Sequence, residues 1–150
     1  MKLKCVPLLA LLGIALASSA YAGDAVDEFV LGRWVTESGN LEVNIEPCAQ
    51  SLCGTVVKVL GNRSMSKPGE VMEPVDKRPA LGMKILTDFT GGDDGELRGH
   101  IYNRENGKTY DCLLSQEAPD RLKVRAYKFL PLFGKTQIWR RVSMAQARSD

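Results

Sequence analysis

The chain has 150 residues, with 20 lysines and arginines against 18 aspartates and glutamates. Lys2 and Lys4 belong to an N-terminal leader whose removal equalises the two signs, and a chain without net positive charge lacks the footprint that nucleic acid requires. No segment after the leader is apolar enough to span a bilayer, which takes about 20 apolar residues.

The leader itself reads as a secretory signal. Two lysines precede the apolar run Val6 to Ala17, and Ala20-Tyr21-Ala22 offers small residues where a signal peptidase reads them. Cleavage after Ala22 is expected, giving a signal peptide over 1–22, one domain over 23–143 and a C-terminal tail over 144–150. The mature protein is expected in the periplasm or secreted.

Asp24 to Leu31 is expected to form a short helical turn that plugs one end of the fold. Gly32 to Thr36 reads as the first strand. Leu41-Glu42-Val43-Asn44-Ile45 alternates strictly and is stopped by Glu46-Pro47, and Leu52 to Leu60 forms a third strand with a bend near Gly54. The stretch from Gly61 to Ala80 holds three prolines and little periodicity, which is long for a connection in a small domain. Its Met65, Val71, Met72 and Val75 either fold back over an opening as a lid or simply pack down on the core.

Leu81 to Leu86, extended by Phe89, restores the strand pattern. Gly91 to Gly95 is a turn that only superficially resembles a calcium loop, because the remaining ligand positions are out of register. Four runs follow: Leu97 to Tyr102, Thr109 to Ser115, Arg121 to Lys128 and Thr136 to Val142, with Asn106-Gly107, Pro119-Asp120 and Gly134 between them. Eight strands joined by short turns predict an all-β, antiparallel up-and-down barrel, since closure removes the exposed edges of an open sheet. Such a barrel is either filled by its own side chains or holds one small ligand.

Cys48 and Cys53 flank four residues, a spacing that closes a hairpin with a disulfide in an oxidising compartment. Cys112 reads as a buried free thiol; a bridge to either of the others, or to another chain, is the alternative. Three thiols and the lone His100 lack the paired spacing of a zinc site, so no metal and no cofactor are expected. The basic residues Lys123, Arg125, Lys128, Lys135, Arg140 and Arg141 read as a solvated strand face.

Gly32-Arg33-Trp34 on the first strand, with Arg140 or Arg141 on the last, is similar to the signature of lipocalins and their calycin relatives. That resemblance implies a tryptophan lying across the closed end of a barrel with an arginine packed over its ring. A second resemblance spans almost the whole mature chain. Gly32-Arg33-Trp34, Leu52-Cys53-Gly54, Arg78-Pro79-Ala80-Leu81-Gly82, Ile101-Tyr102-Asn103, Gly107-Lys108-Thr109-Tyr110, Leu122-Lys123-Val124-Arg125 and Phe133 to Arg141 occur in the order of the exported bacterial domain of unknown function 2147 family. It implies a lipocalin-like or streptavidin-like barrel and no assigned activity. Members show an Asp and an Asn in the long loop before the Arg-Pro step; Asp76 stands at the first position and the second has no counterpart here.

Nothing in the chain fits an enzyme's role list: no nucleophile stands beside an oriented base, and His100 shares the outer face with Arg98 and Tyr102. The leading expectation is a binding protein for a small apolar or amphipathic ligand. Val43, Ile45, Val57, Met83, Ile85, Ile101, Tyr110, Leu114, Val124 and Ala126 are expected to line the interior. Trp34, Tyr102, Tyr110, Arg125, Tyr127, Trp139 and Arg141 are the candidate contacts, the two tryptophans reading first as plugs of the closed end. The alternative is a ligand-free envelope protein that meets a protein partner through the 61–80 loop and the apolar rim Phe129 to Phe133. That rim reads first as an end cap packed against the barrel; exposed, it would mark a contact with a protein partner, a membrane surface or a second copy. No feature specifies the oligomeric state.

Overall fold

Alternating apolar and polar residues carry the chain up and down eight times, and each strand pairs with the one before it. A computed structural model describes residues 28–92 and 94–147; the leader and the first half of the expected 24–31 helical turn lie outside these. The strands are β1 (Gly32–Val35), β2 (Leu41–Cys48), β3 (Ser51–Val59), β4 (Lys84–Gly91), β5 (Leu97–Asn103), β6 (Lys108–Ala118), β7 (Arg121–Tyr127) and β8 (Lys135–Arg141). All neighbours are antiparallel, and β8 returns to β1 through Trp34 opposite Arg141 and Val35 opposite Arg140, closing the barrel.

Up-and-down connectivity sorts the connections between two ends. The tight turns 49–50, 92–96 and 119–120 lie at the closed end, with the start of β1. The connections 36–40, 60–83, 104–107 and 128–134 gather at the open end. The core sits in the closed half, where Trp34, Val43, Ile45, Phe89, Leu97, Leu114, Leu122 and Val124 are buried together with Val30. Outward positions such as Lys84, Arg98, His100, Asp111 and Arg140 are charged or polar and exposed, so the strands present a water-facing outer surface. No helix of the described residues is long and apolar enough to cross a membrane.

Several boundaries differ from the expected ones for local reasons. β2 runs through Pro47, which pairs with Leu52. The β1 partner ends at Gly32 opposite Ile45, so Pro47 lies on a free edge and its missing N–H costs no ladder bond. A register shift between Glu42 and Val43 sets Val43 opposite Val56, and Val56 rather than Val57 enters the core. β4 begins at Lys84, not Leu81, and a second irregularity at Asp88 (φ 61°) turns Phe89 inward. Gly99 makes room for that ring: a Cβ there would stand 2.6 Å from Phe89 Cγ.

Cys48 and Cys53 form the expected disulfide across the closed end of the β2–β3 hairpin, and Cys112 is a buried free thiol. Burial pushes the Cys112 thiol up to about 12. The expected C-terminal tail begins with one helical turn, α1 (Met144–Ala147), opened by a reciprocal Ser143–Gln146 cap.

Candidate functional site

Trp34 is the floor of the molecule. It is buried, its Nε1 donates to the Val30 carbonyl at 2.7 Å, and the Arg141 guanidinium lies 4.1 Å from its ring centroid. Arg141, rather than Arg140, takes the basic position because its Nη atoms also donate to the carbonyls of Phe29 and Leu31. One side chain thus satisfies two carbonyls of the incoming segment and stacks on the plug, the stacking alone contributing roughly 0.5–2 kcal/mol. Gly32 permits this: it holds φ 105°, and a Cβ there would lie 3.3 Å from Arg141 Nη1.

Trp139 has a different position. It lines the lower part of a cavity of about 350 Å³ in the open half of the barrel, its Nε1 held by Gln137 at 3.0 Å. Met83, Ile85, Ile101, Tyr110 and Ala126 form the cavity wall, as the sequence suggested, whereas Val43, Ile45, Leu114 and Val124 lie in the packed core beneath. Met65 and Met72 of the 61–80 loop also face the cavity. The loop therefore lies over the mouth.

How the loop is held was not readable from the sequence. Its first half is a small hairpin, with Arg63 bridged to Val71 and the Met72 amide donating to the Asn62 carbonyl. Asn40, buried in the β1–β2 turn, clasps Arg63 through both ends of its amide: Nδ2 donates to the Arg63 carbonyl at 2.8 Å and Oδ1 accepts its N–H at 2.9 Å. Glu105, in the β5–β6 turn, accepts the Ser64 and Ser66 hydroxyls and the Met65 amide, the last two at 2.7 and 3.0 Å. Burial opposes ionisation of Glu105, but these donors prevail and hold its carboxyl below the ordinary carboxylate range. The sequence separation of about 40 residues explains why no local pattern marks the contact.

The second half of the loop is fastened by Asp76. Its carboxylate pairs with the Arg78 guanidinium at 2.6 Å and accepts the Tyr102 hydroxyl at 2.7 Å. The Arg78 guanidinium first, and the Tyr102 hydroxyl second, hold the Asp76 carboxyl well below the ordinary range. The backbone N–H groups of Val75 and Asp76 donate to the carbonyls of Glu105 and Arg104.

Two more of the candidate contacts therefore have structural work. The Tyr102 hydroxyl stands at the mouth and ties down the loop. Arg125 alternates with the inward Val124 and Ala126, points outward, and donates to the carbonyls of Pro131 and Leu132 and to the Thr136 hydroxyl. Tyr127 is on the same outer side. Tyr110 does line the cavity, where its hydroxyl accepts a hydrogen bond from Asn106 at 2.9 Å. His100 lies on the outer face, 3.5 Å from Asp88 and 3.6 Å from Asp111.

The rim does not cap the barrel. Phe129 is 91% exposed, Leu132 79% and Phe133 77%, because Arg125 pulls the short turn Pro131–Phe133 onto the outer wall and leaves the rings beyond it. Phe129 occupies a tight turn at φ 68°, with the Leu130 N–H donating to the Lys128 carbonyl at 2.8 Å, a backbone shape rare for a bulky residue.

Among solved structures, the chain is similar to protein HP1028 from the human pathogen Helicobacter pylori, described as belonging to the lipocalin family. The two are 18% identical, the match covers 79% of this chain and 86% of that one, and the TM-score is 0.59. This likeness shows a shared fold. No curated protein matches. A family model described as an uncharacterized protein conserved in bacteria (DUF2147) matches residues 32–141, from the first residue of β1 to the last of β8. The chain belongs to the DUF2147 family.

Proposed function

We propose that the protein binds a small, mainly apolar ligand inside the open half of its barrel, in the periplasm or outside the cell. One observation carries this reading: a cavity of about 350 Å³ persists above the packed core, within the range of about 300–1,000 Å³ usual for ligand sites. Its wall is largely apolar, and Met65, Met72 and Met83 give it a surface that adapts to an irregular shape. Polar residues of the open-end connections, among them Thr36, Ser38, Asn40, Asn103 and Glu105, share the lining. Gln137 and the Tyr110 hydroxyl lie along the wall, while Arg104 and Lys135 lie near the mouth, an order that suits an apolar body with an anionic head. The leader and the Cys48–Cys53 bridge both support an oxidising compartment.

The test is native mass spectrometry on protein exported by a bacterial host, compared with the same sample after denaturation. A bound mass that leaves on denaturation is expected, together with enhanced fluorescence of an added dansyl-labelled fatty acid. Ala126→Phe, which fills the cavity from its wall, should abolish both without lowering the melting temperature. A bare mass and no probe uptake by the wild-type protein would overturn the reading.

A further inference from the structure

Every large apolar side chain that stands well exposed among the described residues belongs to the open end. Leu60 and Leu81 stand at the two ends of the 61–80 loop, Val71 and Val75 lie on it, and Phe129 and Phe133 crown the β7–β8 connection. This is a large apolar display for a water-soluble surface, and it rings the cavity mouth rather than scattering. Lysines stand among these residues: Lys77, Lys84, Lys108, Lys128 and Lys135 are all exposed.

The acids of the open-end connections, Glu37, Glu70, Glu73, Asp76 and Glu105, are outnumbered: Asp76 is paired with Arg78 and Glu70 with Lys67 at 3.7 Å, and the five lysines exceed the three acids that remain. The closed end differs, with Asp94, Glu96 and Asp120 in its tight turns. A second copy meeting this face would bring the lysines together, a like-charge arrangement that opposes association. Exposed rings on loop tips, set among lysines, instead match the boundary of an anionic bilayer, where rings enter the acyl edge and ammonium groups meet lipid phosphates.

We infer that the open end docks on an anionic phospholipid surface, with Phe129 and Phe133 inserted and the surrounding lysines on the headgroups. Docking so oriented sets the cavity mouth against the membrane. The Phe129 turn serves this purpose, since it projects a ring away from the barrel in a conformation that packing does not require. The inference stands whether or not the cavity is occupied, because the inserted rings, Phe129 and Phe133, do not line it.

The experiment is co-sedimentation of the mature protein, disulfide intact, with vesicles of phosphatidylglycerol in phosphatidylcholine and with vesicles of phosphatidylcholine alone. Binding is expected to the anionic vesicles only, weakening steeply with added salt. The pair F129A/F133A should reduce it by at least about tenfold, and K77Q/K108Q, two exposed lysines that do not line the cavity, by about tenfold or more. Both variants should keep the wild-type melting temperature and dansyl fatty acid response. Absence of sedimentation with either vesicle overturns the inference, as does undiminished binding of F129A/F133A. So does self-association in gel filtration that F129A/F133A abolishes while vesicles remain unbound, which would make the crown a contact between copies.

Discussion

Single residues decide how the closed end is sealed. Trp34 fills it, but the indole would leave the Val30 carbonyl and the incoming segment unanchored without its Nε1 hydrogen bond and the Arg141 guanidinium above it. Trp34→Ala removes the ring, a buried donor and the platform for Arg141 together. It should destabilise the protein by about 3–5 kcal/mol in urea denaturation; an unchanged midpoint would mean that Trp34 is not the plug. The glycine-tryptophan step and the late arginine made this pair legible in the sequence, although the choice of Arg141 over Arg140 needed the carbonyls of Phe29 and Leu31. Arg125 and Tyr102 were legible only as polar residues on strands. Their partners lie in connections whose path the sequence does not encode locally, so their work in holding the rim and the loop could not be read.

At the scale of elements, the strands followed from alternation while their faces did not always. Val56 displaces Val57 because a one-residue irregularity reverses every position beyond it. The 61–80 loop posed the harder problem, for its structure comes from distant anchors. Glu105 is the most consequential of these. A carboxyl whose folded pKa lies below its unfolded value stabilises the folded arrangement above the ordinary carboxylate range. That contribution fades as the pH falls through the folded value. Asp76 is shifted in the same direction, so both fastenings hold at neutral pH and release on strong acidification. The amide of Met65, which donates to Glu105, reports the change directly. After correction for intrinsic rates, its hydrogen exchange should accelerate as the pH drops below the ordinary carboxylate range, while the β6 and β7 amides stay protected. Glu105→Ala should show the fast exchange already at neutral pH. Equal protection of Met65 in the two proteins would show that the carboxylate does not hold the loop.

The whole molecule is divided along its axis. The closed half is packed as a core, and the open half encloses a cavity beneath a fastened loop. A barrel of eight strands leaves room for either filling, and the sequence could not choose, because apolar wall residues look alike whether they meet one another or a void. The division has a consequence for stability. Removing apolar atoms from a packed region opens a new void and costs both transfer energy and lost contacts, whereas removing them beside an existing cavity only enlarges it. Leu114 and Ile101 offer a fair comparison, since both are inward residues of neighbouring strands, one in the packed half and one on the cavity wall. Leu114→Ala should cost about 2–5 kcal/mol in urea denaturation. Ile101→Ala should cost clearly less, because only one side of its side chain meets packed protein. Losses of equal size would mean that the open half is packed as tightly as the closed one, and a cavity-binding role would lose its structural basis. A marked difference would place the folding energy in one half and leave the other free for a ligand.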